Sequence, residues 1–238
     1  MASGSPPGGG LTPEKYGFMK QDFSVDILAD LVCPWCYLGF RQLVQARAMV
    51  TEVEVAMHLR PYLLDAGMPR AGRPYRLYRQ QKLGGRDQAD AMERELTQLG
   101  KDANIEFDFE AIETASSSID AHRLVHWAGQ AEKGVQEHVA GALFSRYFEQ
   151  GQDIGRHDIL VDTAAEAGMR ADVIARLLTT PIDVQTIRDD ADSARHMHVD
   201  SVPCFILDKK YAVMGAQSAE ALADAIRQTA DGFEPIRR

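Results

Sequence analysis

The alternation of apolar and polar residues marks out the elements before any chemistry is considered. Val25, Ile27 and Val32 flank an apolar stretch from Phe23 to Leu31, the pattern of a buried strand. Pro34 suits the first turn of a helix, where a missing N–H costs nothing, and Leu38, Leu43, Val44 and Ala46 carry that helix to about Met49. Val53, Val55, Met57 and Leu59 then alternate with Glu54, Ala56, His58 and Arg60, a strand period. Together these segments predict a βαβ unit.

Pro61 to Gly85 is rich in Pro, Gly and Arg and reads as loop with a short helix. Beyond it the period becomes helical, over 89–99, 118–132, 135–150, 159–167, 171–178 and 184–196. Ala121, Leu124, Val125 and Ala128 form the apolar stripe of one helix. Asp158 and Gly168 look like the start and stop of another. Strand character returns at Cys204–Leu207 and Tyr211–Met214, with Asp208-Lys209-Lys210 as the turn. A closing helix runs from Ser218, as N-cap, to about Gln228. The economical arrangement has two β-containing ends completing one sheet around a helical insert. It assigns 23–62 and 199–230 to an α/β domain, 63–198 to an inserted all-helical domain, and 1–22 and 231–238 to tails.

Composition narrows the classes. The chain has 238 residues, 45% apolar and 26% charged, ordinary for a globular protein that can bury a sizeable core. A net charge of −9 speaks against nucleic acid or an anionic membrane surface as partner. No apolar run approaches the roughly 18 residues of a membrane helix. Met1 to Gly10 has no basic segment followed by an apolar run, so it does not read as a secretory signal, and the cytoplasm is the expected compartment.

Three cysteines are too few for a disulfide scaffold, and two of them form Cys33-Pro34-Trp35-Cys36. At a helix N-terminus the first sulfur meets unpaired N–H groups and the positive end of the helix dipole, which favours the attacking thiolate. Cys33 is then the exposed nucleophile, and Cys36, one turn on and facing inward, is the resolving thiol. Half of a zinc site is the other reading, but it needs a second ligand pair. His122 and His126 are the one helical pair available and lie far off in sequence, while His196 and His198 are too close for one helix face. No metal is expected. Ser201-Val202-Pro203, directly before a strand, is a second signal. A trans proline opening an edge strand is its plain reading.

The stretches Asp26 to Gly39, Ala121 to Trp127, Ser201 to Pro203 and Tyr211 to Gln217 resemble the DsbA family, and in particular its FrnE-like branch. This resemblance implies a thioredoxin-like fold with a large helical insertion and a redox-active Cys33/Cys36 pair. It also implies a cis peptide bond between Val202 and Pro203, with that proline against the redox pair and its backbone open to a substrate strand. The chain departs from DsbA proper in two respects. Trp35 stands where a histidine is found, and no signal peptide is evident, so a strong oxidant role is not carried over. Cys204 also replaces the usual large apolar residue after the proline. It reads as a small buried hydrophobe, with a third redox sulfur as the sharper alternative, although strand alternation points it away from Pro203.

Several candidates keep two readings. Asp30 is a proton relay for Cys36 or a polar strand-end residue, with Asp26 as the lesser alternative. His122 and His126 line a cleft beside the redox pair or sit satisfied on a packed helix face. Pro34 and Trp35 are expected to meet substrate with Val202 and Pro203, though Trp35 and Tyr37 equally suit packing against the insert. Arg70, Arg73, Arg76 and Arg79 form a basic cluster, by default a solvated face and otherwise a site for an anion such as glutathione.

The expected activity is a cytoplasmic protein disulfide reductase or isomerase acting on thiol- or disulfide-containing proteins, as monomer or homodimer. It needs no cofactor beyond the Cys33–Cys36 disulfide, with glutathione as a possible reductant. The alternatives are a glutathione-dependent enzyme resembling 2-hydroxychromene-2-carboxylate isomerase or kappa-class glutathione transferase, and a non-catalytic holdase. The first of these usually carries Ser where Cys33 stands, so the intact pair argues against it.

Overall fold

The computed structural model describes residues 21–232, so most of the two expected tails lies outside the described residues. The chain opens with β1 (Gln21–Ala29), α1 (Pro34–Met49) and β2 (Val53–Pro61). β1 begins two residues inside the expected tail and pairs in parallel with β2 along its whole length, from Gln21 opposite Val53 to Ala29 opposite Pro61. It ends at Ala29 rather than Leu31, because Asp30 and the two residues after it turn toward α1.

A short bridge, β3 (Arg73–Pro74), leads into α2 (Tyr75–Leu83) and α3 (Arg86–Asp102). It pairs with β4 (Thr114–Ala115), a link between distant residues that leaves no periodic mark in the sequence. α3 extends three residues beyond the apolar pattern at each end, with Gly84 in the left-handed region closing α2 ahead of it. Next come α4 (Ile119–Ala128), α5 (Val135–Phe148), α6 (His157–Glu166), α7 (Ala171–Leu178) and α8 (Val184–His196). α4 stops at Gly129, short of the Glu132 expected from composition. α6 starts at His157, so Asp158 is a first-turn residue and not a cap, while Gly168 takes the left-handed conformation expected just past the helix end.

The chain closes with β5 (Cys204–Leu207), β6 (Tyr211–Met214) and α9 (Ala219–Ala230). Asp208 and Lys209 both have positive φ, as a tight hairpin between right-twisted strands requires. Ser218 caps α9, its hydroxyl accepting from the Ala221 N–H at 3.2 Å. The sheet order is β2-β1-β5-β6, with β5 antiparallel to both β1 and β6. This is an α/β fold with a four-stranded mixed sheet and, among the described residues, nine helices.

The sheet separates two apolar clusters. Val25, Ile27, Phe205 and Leu207 join α1, α9 and the inserted helices in the main core. Leu28, Tyr62, Ala194, Val199 and Cys204 form a smaller cluster under α8. α1 is buried at every position from Cys36 to Phe40, because it lies between the sheet and the inserted helices. Tyr37 stacks on Phe144 of α5 at 5.2 Å, and its hydroxyl donates to Glu149 Oε1 at 3.0 Å. The tyrosine is thus an anchor between the two parts of the chain.

Candidate active site

The β1–α1 turn builds the site. Cys33 is the N-cap of α1, with extended backbone, and Pro34 follows at the head of the helix. The Cys33 carbonyl accepts the Cys36 and Tyr37 N–H groups at 3.0 and 3.1 Å, while its own N–H donates to the Asp30 carbonyl at 3.0 Å. No acidic residue occupies the first turn, so nothing there opposes negative charge on the Cys33 sulfur. All three cysteines are free thiols.

Cys33 is not the exposed sulfur expected: it is only 5% exposed because it packs into the main core, and Cys36 is fully buried. Burial, then a side-chain hydrogen bond with Cys33 and that residue's charge, push its thiol well above the ordinary range. The Asp30 backbone works the other way, and the Asp30 charge adds to the rise. Cys36 therefore holds its proton until a base removes it.

Asp30 is the nearest candidate. It is 1% exposed, and its carboxylate accepts the Leu64 N–H at 2.7 Å and the Val32 N–H at 3.4 Å. Two tyrosines, the half-buried Tyr78 and the buried Tyr147, feel its charge; desolvation raises both hydroxyls well above the usual phenol range, so they stay protonated. Asp26 faces elsewhere, paired with Arg60 at 2.8 Å.

Pro203 completes the site from the other end of the chain. The Val202–Pro203 peptide bond is cis. The proline ring abuts α1 at Gly39, where an added Cβ would stand 2.8 Å from Pro203 Cγ. Gly39 shares the helix face of Cys36, one turn back, so its missing side chain lets Pro203 pack onto the face of α1 that carries Cys36. Its role was not foreseen from spacing; a lone glycine inside a helical run was the available signal. Trp35, Pro34 and Val202 are half-buried, and Trp35 and Val202 pack on the core edge.

The other candidates separate. His122 is buried with Nε2 at 3.5 Å from Asp30 Oδ1, whereas His126 is half-buried and contacts Gln130 at 3.0 Å. The arginine cluster is split among different carboxylates: Arg70 meets Asp120 and Arg76 meets Glu110. Arg79 contradicts the solvated face. It is buried between Asp90 and Glu93, at 2.9 and 2.6 Å, the second contact lying off hydrogen-bonding direction. Arg73 is exposed. Cys204 lies in the cluster under α8, whereas Cys33 and Cys36 belong to the main core; burial raises its thiol.

Arg123 was not foreseen at all. Fully buried, it donates to Asp120 at 2.8 Å and to the carbonyls of Leu177, Thr180 and Ile182, tying α4 to the end of α7. Among the described residues no group of three or more His, Cys, Asp or Glu is arranged to hold a metal ion, and no helix is long and apolar enough to cross a membrane.

A family model described as a DSBA-like thioredoxin domain matches residues 24–227. The chain belongs to this DsbA-like family. Among solved structures it is similar to a probable DsbA oxidoreductase from Streptomyces coelicolor, at 28% identity and a TM-score of 0.81, covering 91% of this chain and 93% of that one. A 2-hydroxychromene-2-carboxylate isomerase shares the fold at 13% identity and a TM-score of 0.65, with 89% and 100% covered. So does the cytosolic disulfide reductase DsbM from Pseudomonas aeruginosa, solved with glutathione, at 17% identity and a TM-score of 0.56, with 88% and 98% covered. No curated protein sequence matches the chain closely enough to count as a relative.

Proposed function

We propose that this DsbA-like protein is a dithiol–disulfide oxidoreductase of the FrnE-like branch, acting as a protein disulfide reductase or isomerase in the cytoplasm. The observation that carries the reading is the division of labour at the head of α1. Cys33 stands at the N-cap, against the unpaired N–H groups of the helix start, while Cys36, one turn on, is fully buried with a thiol held protonated. Cys33 attacks the substrate disulfide. The Cys36 proton passes to Asp30, and the Cys36 thiolate displaces the substrate from Cys33. Pro34, Trp35, Val202 and Pro203 receive the substrate chain, and a thiol such as glutathione restores the dithiol. The thioredoxin-like part spans 23–62 and 199–230, with 63–198 as its helical insert.

Cys33→Ser tests this. Insulin reduction by the variant is expected to disappear while its circular dichroism stays native. Retained turnover would remove Cys33 from the chemistry. The glutathione-dependent isomerase reading shares only the fold, and the paired Cys33 and Cys36 favour disulfide exchange.

A further inference from the structure

Asp30 has a difficulty as a base. It is enclosed at 1% exposure, so a proton drawn from Cys36 has no direct path from this carboxylate to water. The two neighbouring tyrosines are already protonated. His122, on α4, is the remaining neighbour. Its side chain is 1% exposed and its Nε2 lies 3.5 Å from Asp30 Oδ1. Neither ring nitrogen has a hydrogen-bond partner among the described residues. A buried histidine with a purely structural role is normally held through its nitrogens. This ring is held by packing and keeps both nitrogens available, and imidazole can accept a proton at one and release it at the other.

The same residue forms part of the wall of a cavity of about 290 Å³, lined also by His58 and Arg60 of β2, His126 of α4, Gln136 of α5 and Asp190 of α8. These are the groups that share the cavity wall with His122. Asp30 and Asp190 bring carboxyl groups, Arg60 is balanced by Asp26, Gln136 brings an amide, and His58 and His126 bring imidazoles. Polar side chains line the cavity wall beyond His122 on every one of these elements.

We propose that His122 is the second station of the proton route serving Cys36: it takes the proton from Asp30 and releases it into the cavity beside His126 and Asp190. The proposal rests on the oxidoreductase reading and on Asp30 as the first acceptor. His122 is a positioning residue that acts through Asp30, 3.5 Å from its Nε2. In the resolving step Cys33 is joined to the substrate sulfur. The Cys36 S–H proton goes to Asp30, the Cys36–Cys33 bond forms and the Cys33–substrate bond breaks. The departing thiolate takes a proton from water. The two cysteines lose two electrons and the substrate disulfide gains them. His122 draws the proton on from Asp30 within this same step, so both transfers bear on the rate of resolution, and the route runs backward when the Cys33–Cys36 disulfide is reduced.

The test is a single turnover of the reduced full chain with one equivalent of 5,5′-dithiobis(2-nitrobenzoic acid). Attack by Cys33 releases one coloured thiolate, and resolution by Cys36 releases a second. In His122→Gln the first release is expected to be unchanged. The second slows about tenfold or more near neutral pH, the modest end of a general acid–base contribution. The gap closes as pH rises, because hydroxide then takes the proton directly. Asp30→Asn slows the same phase.

A second release that is slow in Asp30→Asn but unchanged in His122→Gln at every pH would overturn the part given to His122 and spare Asp30. A wild-type chain that releases no second thiolate would overturn the oxidoreductase reading, and the relay with it. Should His122→Gln fail to fold, the wild-type second phase in mixtures of light and heavy water decides. A curved dependence on deuterium content is expected for protons moving in series, and a straight line would overturn the relay.

Discussion

The ring of Pro203 fills the space a side chain at Gly39 would need, so that a Cβ there would lie 2.8 Å from Pro203 Cγ and 3.0 Å from Phe205 Cζ. In an ordinary helix interior, replacing Gly by Ala stabilises by about 1 kcal/mol. Here the added methyl meets a rigid ring and a buried aromatic, and overpacking costs roughly 1–3 kcal/mol. The second effect wins. Gly39→Ala is expected to lower unfolding free energy by about 1 kcal/mol in urea titration, and to slow disulfide exchange by displacing Pro203 from the face of α1 that carries Cys36. A stabilised variant with full activity would show that the contact relaxes without cost.

What the chain declares about itself is what local pattern can carry. The βαβ opening, the hairpin at Asp208 and Lys209 and the cap at Ser218 rest on neighbours in sequence, and each appears near its expected place. The same holds for Cys33 at a helix start, which follows from a strand run ending just before Pro34. Contacts between distant residues leave no such mark. Nothing periodic ties Asp30 to His122, Arg123 to the end of α7, or Arg73 to Ala115. The arginine cluster misled for the same reason: the carboxylates that bury Arg79 come from α3.

Cys204 should be dispensable for redox turnover. Its side chain sits with Leu28, Tyr62, Ala194 and Val199, in a different cluster from the Cys33–Cys36 pair. Cys204→Ala removes one buried sulfur and leaves a small void, a loss of roughly 1–2 kcal/mol. Thermal unfolding should report that loss while insulin reduction stays at the wild-type rate. A fall in turnover in a folded Cys204→Ala protein would bring this sulfur into the redox chemistry after all.

The Asp120 cluster sets an acid limit on stability. Asp120 Oδ2 lies 2.9 Å from both Arg70 Nη2 and His157 Nε2, and Oδ1 lies 2.8 Å from the buried Arg123. Burial alone would raise this carboxyl, but hydrogen bonds from Arg123 and His157, with the charges of Arg70 and Arg123, hold it below the usual range. A group lowered on folding stabilises above its unfolded value, about 3.9, and loses that contribution as pH falls through its folded value. Unfolding free energy should therefore drop steeply below about pH 4, and less steeply in Asp120→Asn. At neutral pH that variant should be weaker by about 3 kcal/mol, the scale for removing one partner of a buried ion pair. Equal acid slopes in the two proteins would remove Asp120 from the acid transition.

The thiols of Cys36 and Cys204 should be slow to react, for a shared reason. Both are fully buried, and burial is the largest influence raising each. Only the thiolate attacks an alkylating agent, so a raised thiol loses about a factor of ten in reactive fraction for each pH unit of the rise. In Cys33→Ser the two remaining thiols should therefore label with iodoacetamide at least about tenfold more slowly than free cysteine at neutral pH. Their rates should keep climbing with pH past the point where free cysteine levels off. Mass spectrometry of tryptic peptides separates them, since Cys36 and Cys204 lie in different peptides. Adding denaturant should bring both to the free-cysteine rate. Rapid labelling of Cys36 in the folded variant would mean that its proton is lost without help, and the resolving step would then need neither Asp30 nor a route beyond it.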